Sequence, residues 1–173
     1  MAWTSKLPLF ACATIIILAL FTAYDLNGGS FDFTDRELIL VVTDSMDGDV
    51  NKYDIDSFPA NTLVMVEHLP ISEVRFLREG DVISYNDEGI KVQHRIIQAN
   101  GDSFYVHGDN NHSTEVVLLE DVNGKVVGTN WILGHILALI SSNFLAFLVV
   151  MFVISASIAV FGVYRKSPRE AAE

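Results

Sequence analysis

The stretch "IKVQHRIIQ", residues 90–98, decides the fold class. Its side chains change character with period two, the spacing of a half-buried strand and not of a helix. Val92, His94 and Ile96 fall on one face, and Lys91, Gln93 and Arg95 on the other. A histidine therefore shares the apolar face, directed at a core or cleft, while Arg95 points away from it.

Short apolar runs of the same kind lie on either side. "ELILVVT" (37–43), "NTLVMVE" (61–67), "DVISY" (81–85), "SFYVH" (103–107) and "GKVVGTNWIL" (124–133) are each bounded by breakers such as "FPAN", "REGD", "NDEG", "ANGD" and "HGDNN". Helical periodicity is confined to a weak turn near "ISEVRFL". About six strands in a middle segment of about 100 residues predict a mainly β fold, a compact core built as a partly closed barrel or sandwich.

The ends of the chain are different. Leu7–Tyr24 and Asn143–Tyr164 carry no charge over 18 and 22 residues. A bilayer span needs about 20 apolar residues, so both are transmembrane candidates. The first also has the length of a signal peptide. Only Lys6 precedes it and no small-x-small cleavage site follows it, which favours an uncleaved anchor. Trp131 and the run "WILGHILALISS" lead into the second span, where a Trp suits either a membrane-interface anchor or the last core strand.

Charge sets the expected topology. Arg165, Lys166 and Arg169 follow the second run directly, and Lys and Arg beside span ends stay in the cytoplasm. Both termini are expected inside. The domains expected are a cytoplasmic start and anchor (1–24), a linker (25–36), an extracytoplasmic β catalytic domain (37–135), a second transmembrane region (136–164) and a cytoplasmic tail (165–173). Residues 25–130 hold 20 acidic and 7 basic side chains, so the outer segment lacks the clustered Lys and Arg of a nucleic-acid-binding face. The only cysteine, Cys12, sits in the first run, which excludes disulfides, thiolate metal clusters and a cysteine nucleophile in the outer domain.

Three polar clusters carry possible chemistry: Thr43-Asp44-Ser45-Met46 at a strand end, His94-Arg95 within a strand, and "HGDNNHSTE" (107–115), with Asp109 and Glu115. Singly, each is ordinary: a turn serine, a core histidine, an Asx turn. Together they supply a nucleophile, a general base and orienting carboxylates on one small domain. A serine hydroxyl needs a neighbouring base, and neutral imidazole serves near pH 7. A metal reading competes through His107, Asp109 and His112, whose H-x-D-x-x-H spacing matches no established signature.

The order of these blocks resembles a type I signal peptidase of the archaeal and endoplasmic-reticulum branch. That family carries Ser-Gly-Ser-Met-Glu-Pro, then Gly-Asp-hydrophobic, His-Arg, Gly-Asp-Asn and a Val-Val-Gly run. Here "TDSMDGD" stands at 43–49, "GDVISY" at 80–85, "VQHRII" at 92–97, "HGDNN" at 107–111 and "GKVVG" at 124–128. The similarity spans about residues 37–135 and the N-terminal anchor. It implies a signal-peptidase-like β core between membrane helices, and a membrane-bound serine endopeptidase that removes signal peptides from exported preproteins. Ser45 matches the nucleophile and His94 the base, where the bacterial branch uses lysine. Asp109 matches the acid of the Gly-Asp-Asn block, and Glu115 stands at the family's second acid, usually Asp; either is left as the partner of His94. Thr43, with the Ser45 backbone N–H, matches the oxyanion hole. No metal and no cofactor are implied. The partners implied are secretory preproteins with small residues before the cut, the bilayer, and the protein-export translocon as a further candidate.

Three departures stand out. Asp44 replaces the family's Gly, Gly48 replaces its Pro, and 49–61 is longer than the usual link. They bear on the substrate groove more than on the activity class; Asp44, Gly48 and Glu115 leave a second reading open, a non-catalytic, membrane-anchored accessory subunit of the same fold.

Overall fold

The computed structural model describes residues 14–20, 22, 24, 29–111 and 113–170. The chain divides into a unit Gly29–Ala138 and a second unit made of its two ends, Met1–Gly28 and Leu139–Glu173.

The first unit is mainly β. Its strands are β1 (Ser30–Asp32), β2 (Arg36–Leu40), β3 (Leu63–His68), β4 (Val82–Asp87), β5 (Ile90–Asn100), β6 (Ser103–His107), β7 (Glu115–Leu118) and β8 (Val122–Asn130). One short helix, α1 (Ile71–Val74), coincides with the weak turn read from the sequence. All eight strands form one antiparallel sheet in the order β1-β2-β3-β8-β4-β5-β6-β7, in place of a two-sheet sandwich. β1 lies inside the stretch expected to be a linker, and β7 is a four-residue run hidden by the turn-type residues that precede it in the sequence.

The sheet buries both of its faces in the middle. On one side Ile83, Tyr85, Ile96, Phe104, Val106 and Val117 pack with Val74 and Leu77. On the other, Ile39, Val41, Val64, Val66, Val82 and Val126 pack beneath Met46 and Phe58. β4 serves both clusters, and four of its residues in a row are buried. Bulges at Met65/Val66, Ser84/Tyr85 and Ile96/Gln98 bend the strands so that one sheet can wrap two cores.

This arrangement corrects one expectation about β5. His94 does share the face of Val92 and Ile96. Arg95 faces the other way, yet it is only 2% exposed. The opposite face is covered by the 44–61 segment, which contains the stretch 49–61 that reads as an insertion.

The last core strand ends at Asn130, and Trp131 begins a helix, α2 (Trp131–Ser142), followed by α3 (Phe144–Glu170). Residues 14–20 are also helical. Among the described residues, no single helix is long and apolar enough to cross a membrane. The pair Trp131–Ser142 and Phe144–Ile158, broken at Asn143, passes that test only jointly. Half of the Leu7–Tyr24 run, and the tail beyond Glu170, lie outside the described residues.

Candidate active site

The loop after β2 is anchored by Met46. Its side chain is fully buried, and its carbonyl accepts a hydrogen bond from Phe58 N at 2.8 Å. That burial turns the preceding residue outward, so Ser45 is half-buried at the surface of the second cluster. The Thr43 and Ser45 hydroxyls lie 3.3 Å apart. Asp44 accepts a hydrogen bond from Ala60 N on Oδ1 at 3.2 Å. Its backbone does not enter the left-handed region, where only Asn61 and Glu88 among the described non-glycine residues have positive φ. The Asp44 backbone is therefore unstrained.

The same loop is locked to the 107–111 turn. Asn110 N donates to Ser45 O at 2.8 Å, and Asn110 Nδ2 donates to Asp44 O at 3.2 Å. Two glycines permit the contact. A Cβ on Gly108 would collide with the Ser45 carbonyl oxygen, and a Cβ on Gly48 would lie 2.7 Å from the Asp109 carbonyl oxygen. Glycine at 48 thus has a steric cause.

His94 lies opposite Ile83, and Val92 opposite Tyr85, which makes Tyr85 the diagonal cross-strand neighbour of His94. The Tyr85 hydroxyl sits 2.9 Å from His94 Nδ1 and donates a short hydrogen bond to Glu115 Oε2. Glu115 Oε2 itself is 3.5 Å from His94 Nδ1. Burial lowers the His94 pKa from its ordinary value, and the Glu115 charge and hydrogen bonding oppose the shift. Burial first, then the Glu115 hydrogen bond and charge, push the Tyr85 phenol far above its usual range. The imidazole is thus neutral near pH 7 and the phenol stays protonated.

Asp109 has different company. Its carboxylate accepts Arg95 Nε on Oδ1 at 2.8 Å and Arg95 Nη2 on Oδ2 at 2.6 Å. Ser57 Oγ donates to Oδ2 at 2.7 Å. Arg95 also donates through Nη1 to the carbonyls of Ile55 and Gly80, each at 2.9 Å, and lies over the Tyr53 ring. The two side chains are 3% and 0% exposed. Asp109 and Arg95 therefore tie together the insertion, β5 and the 107–111 turn.

The structure brings Ser45 to Thr43, and His94 to Glu115 through Tyr85. Among the described residues no hydrogen bond joins Ser45 Oγ to His94. Gly108 meets Ser45, and His107, where β6 enters the same turn, pairs with Arg95, the residue after His94 on β5. Sequence reasoning missed Tyr85, because a tyrosine in "DVISY" reads as core, and it missed Arg95 as a structural hub. The opposite-charge pair Arg95 and Asp109 was the available signal for the hub.

For the metal reading, His107 Nδ1 lies 2.6 Å from Gly108 O, and both Asp109 oxygens are engaged by Arg95 and Ser57. His112 lies outside the described residues, and no group of three candidate ligands occurs among those described. No protein-family model matches the chain, and no curated protein matches it.

Proposed function

We propose that the chain is a membrane-bound serine endopeptidase of the signal-peptidase type, cleaving N-terminal signal peptides from exported preproteins. The observation that carries this reading is the buried His94 imidazole, held on Nδ1 by Tyr85 and Glu115. Such an arrangement leaves Nε2 to act as the base. The half-buried Ser45 on a loop fixed to the neighbouring turn supports it.

In this reading His94 takes the Ser45 proton as Ser45 Oγ attacks the scissile carbonyl. The Thr43 hydroxyl and the Ser45 backbone N–H receive the oxyanion. His94 then returns the proton to the leaving amine, and a water repeats the cycle on the acyl-enzyme. Glu115 is the orienting acid, and Asp109 is a structural partner of Arg95. The apolar ends serve as membrane anchors, with both termini cytoplasmic and the β unit extracytoplasmic. The exposed large apolar side chains of α2 and α3, among them Ile132, Leu133, Leu139, Leu145, Phe152 and Val153, support that placement.

The absence of a Ser45–His94 hydrogen bond among the described residues favours a second reading, a non-catalytic accessory subunit that holds preproteins. Catalytic hydrogen bonds commonly tighten only when substrate docks, so the first reading is retained. The deciding experiment is cleavage of a preprotein by the detergent-solubilised full chain beside its Ser45→Ala form. Release of the signal peptide by the first and not the second supports the peptidase; binding without cleavage by both supports the accessory subunit.

A further inference from the structure

We propose that Tyr85 is the positioning residue of the His94 base, carrying the orienting effect of Glu115 to the imidazole through its hydroxyl. The inference rests on the peptidase reading and deepens it, since a serine triad ordinarily sets its acid directly against the imidazole.

The geometry dictates the proton positions. A phenol has one O–H. The Tyr85 proton points to the Glu115 carboxylate, the stronger acceptor, in the shorter of its two contacts. The Tyr85 oxygen must then accept from His94 across 2.9 Å, so the proton on the ring is at Nδ1. Nε2 is left with a free lone pair, the form a general base requires. Glu115 Oε2, 3.5 Å from Nδ1, is too distant for a strong direct bond but close enough for its charge to be felt there.

When His94 accepts the serine proton, the imidazolium gains an acceptor already polarised by a carboxylate. The phenol keeps its proton throughout, so the relay works by orientation and polarisation and does not move a second proton. The arrangement also accounts for glutamate at a position where the resemblance leads one to expect aspartate. Tyr85 is 4% exposed, in van der Waals contact with the first core cluster, and so cannot swing aside. The charged and titratable groups acting on His94 are Glu115, His107 and Asp109, and Glu115 acts most strongly.

The test uses the full chain in detergent, as wild type, Tyr85→Phe, Glu115→Gln and the double variant. Tyr85→Phe keeps the ring and removes only the bridge. Its kcat should fall roughly 10- to 100-fold, the effect of losing one charge-assisted hydrogen bond in the transition state, with KM little changed. The acid limb of its pH profile should move to lower pH, because the imidazolium loses its acceptor. The double variant should be no worse than the poorer single, since the two residues act as one unit. Nitrogen NMR of the His94 ring should show the proton on Nδ1 in the wild type and a mixture of tautomers in Tyr85→Phe.

Wild-type turnover by Tyr85→Phe, losses that multiply in the double variant, or an unchanged tautomer in Tyr85→Phe would each overturn the bridge. Those results leave the peptidase reading intact as long as Ser45→Ala is inactive. If the wild type cleaves no preprotein, the peptidase reading falls, and the tautomer measurement alone decides whether Tyr85 positions His94.

Discussion

Asp109 and Glu115 belong to one short turn-and-strand segment, yet their carboxylates have opposite surroundings. Asp109 is sealed against Arg95, while the Glu115 side chain remains 39% exposed beside His94. Burial and partner choice, not residue type, are what lead the proposed reading to assign Asp109 the structural role and Glu115 the orienting one. Ser45→Ala and His94→Ala should each abolish cleavage, a loss of several orders of magnitude, in protein that still folds and inserts. His94→Lys should be inactive, since a lysine there would meet Tyr85 and Glu115 as a fixed cation. The lowered pKa of His94 sets the pH behaviour. Activity needs the neutral ring, so turnover should fall on acidification with a limb below about 6.5, the ordinary histidine value. The sign for stability is the same: the unfolded chain binds the proton more readily, so the His94 contribution is full above about pH 6.5 and is lost as pH falls through the folded value. A turnover limb above the ordinary histidine value would contradict the buried, neutral ring.

At the scale of elements, the Ser45 loop and the 107–111 turn are held backbone to backbone, and glycine makes that approach possible. Gly108→Ala should lower both melting temperature and turnover, because the added Cβ meets the Ser45 carbonyl and displaces the nucleophile. A cost of about 1–3 kcal/mol is the usual range for such overpacking. A Gly108→Ala chain with wild-type turnover would show that the contact does not position Ser45. Period-two alternation made β5 and β6 legible, with the faces of β5 correctly divided and β6 bounded at Ser103–His107. β1 and β7 were not legible, because runs of three and four residues among Asp, Asn and Ser look like loops. The helix at Trp131 was hidden by a continuous apolar run that suits a buried strand equally well. Ser45, His94 and Glu115 were singled out as residue types suited to one chemistry, and of these the structure brings His94 and Glu115 together. Tyr85 was not, because its role depends on a diagonal contact across two strands that no local spacing encodes. The burial of Arg95 was also beyond local pattern, since it depends on residues 49–61 folding back over the sheet.

On the scale of the whole molecule, the two faces of one sheet carry different work. The His94 side brings Tyr85 and Glu115 to the imidazole, and the Arg95 side ties Asp109 to the insertion through Ile55 and Ser57. On the proposed membrane topology, a tag placed after Glu173 should be protected from protease added to intact cells or spheroplasts, and its removal would contradict cytoplasmic ends. The division between faces is tested most directly by turnover and melting temperature of Glu115→Gln and Asp109→Asn, measured side by side on the full chain. Glu115→Gln should lose at least about 100-fold in turnover, as removing a triad carboxylate does, with little change in melting temperature. Asp109→Asn breaks a buried ion pair, a loss of about 3–5 kcal/mol, and should lower the melting temperature by on the order of 10 °C or more. The contrary result is a Glu115→Gln chain that cleaves like wild type beside an Asp109→Asn chain that is inactive but stably folded; Asp109 would then be the orienting acid.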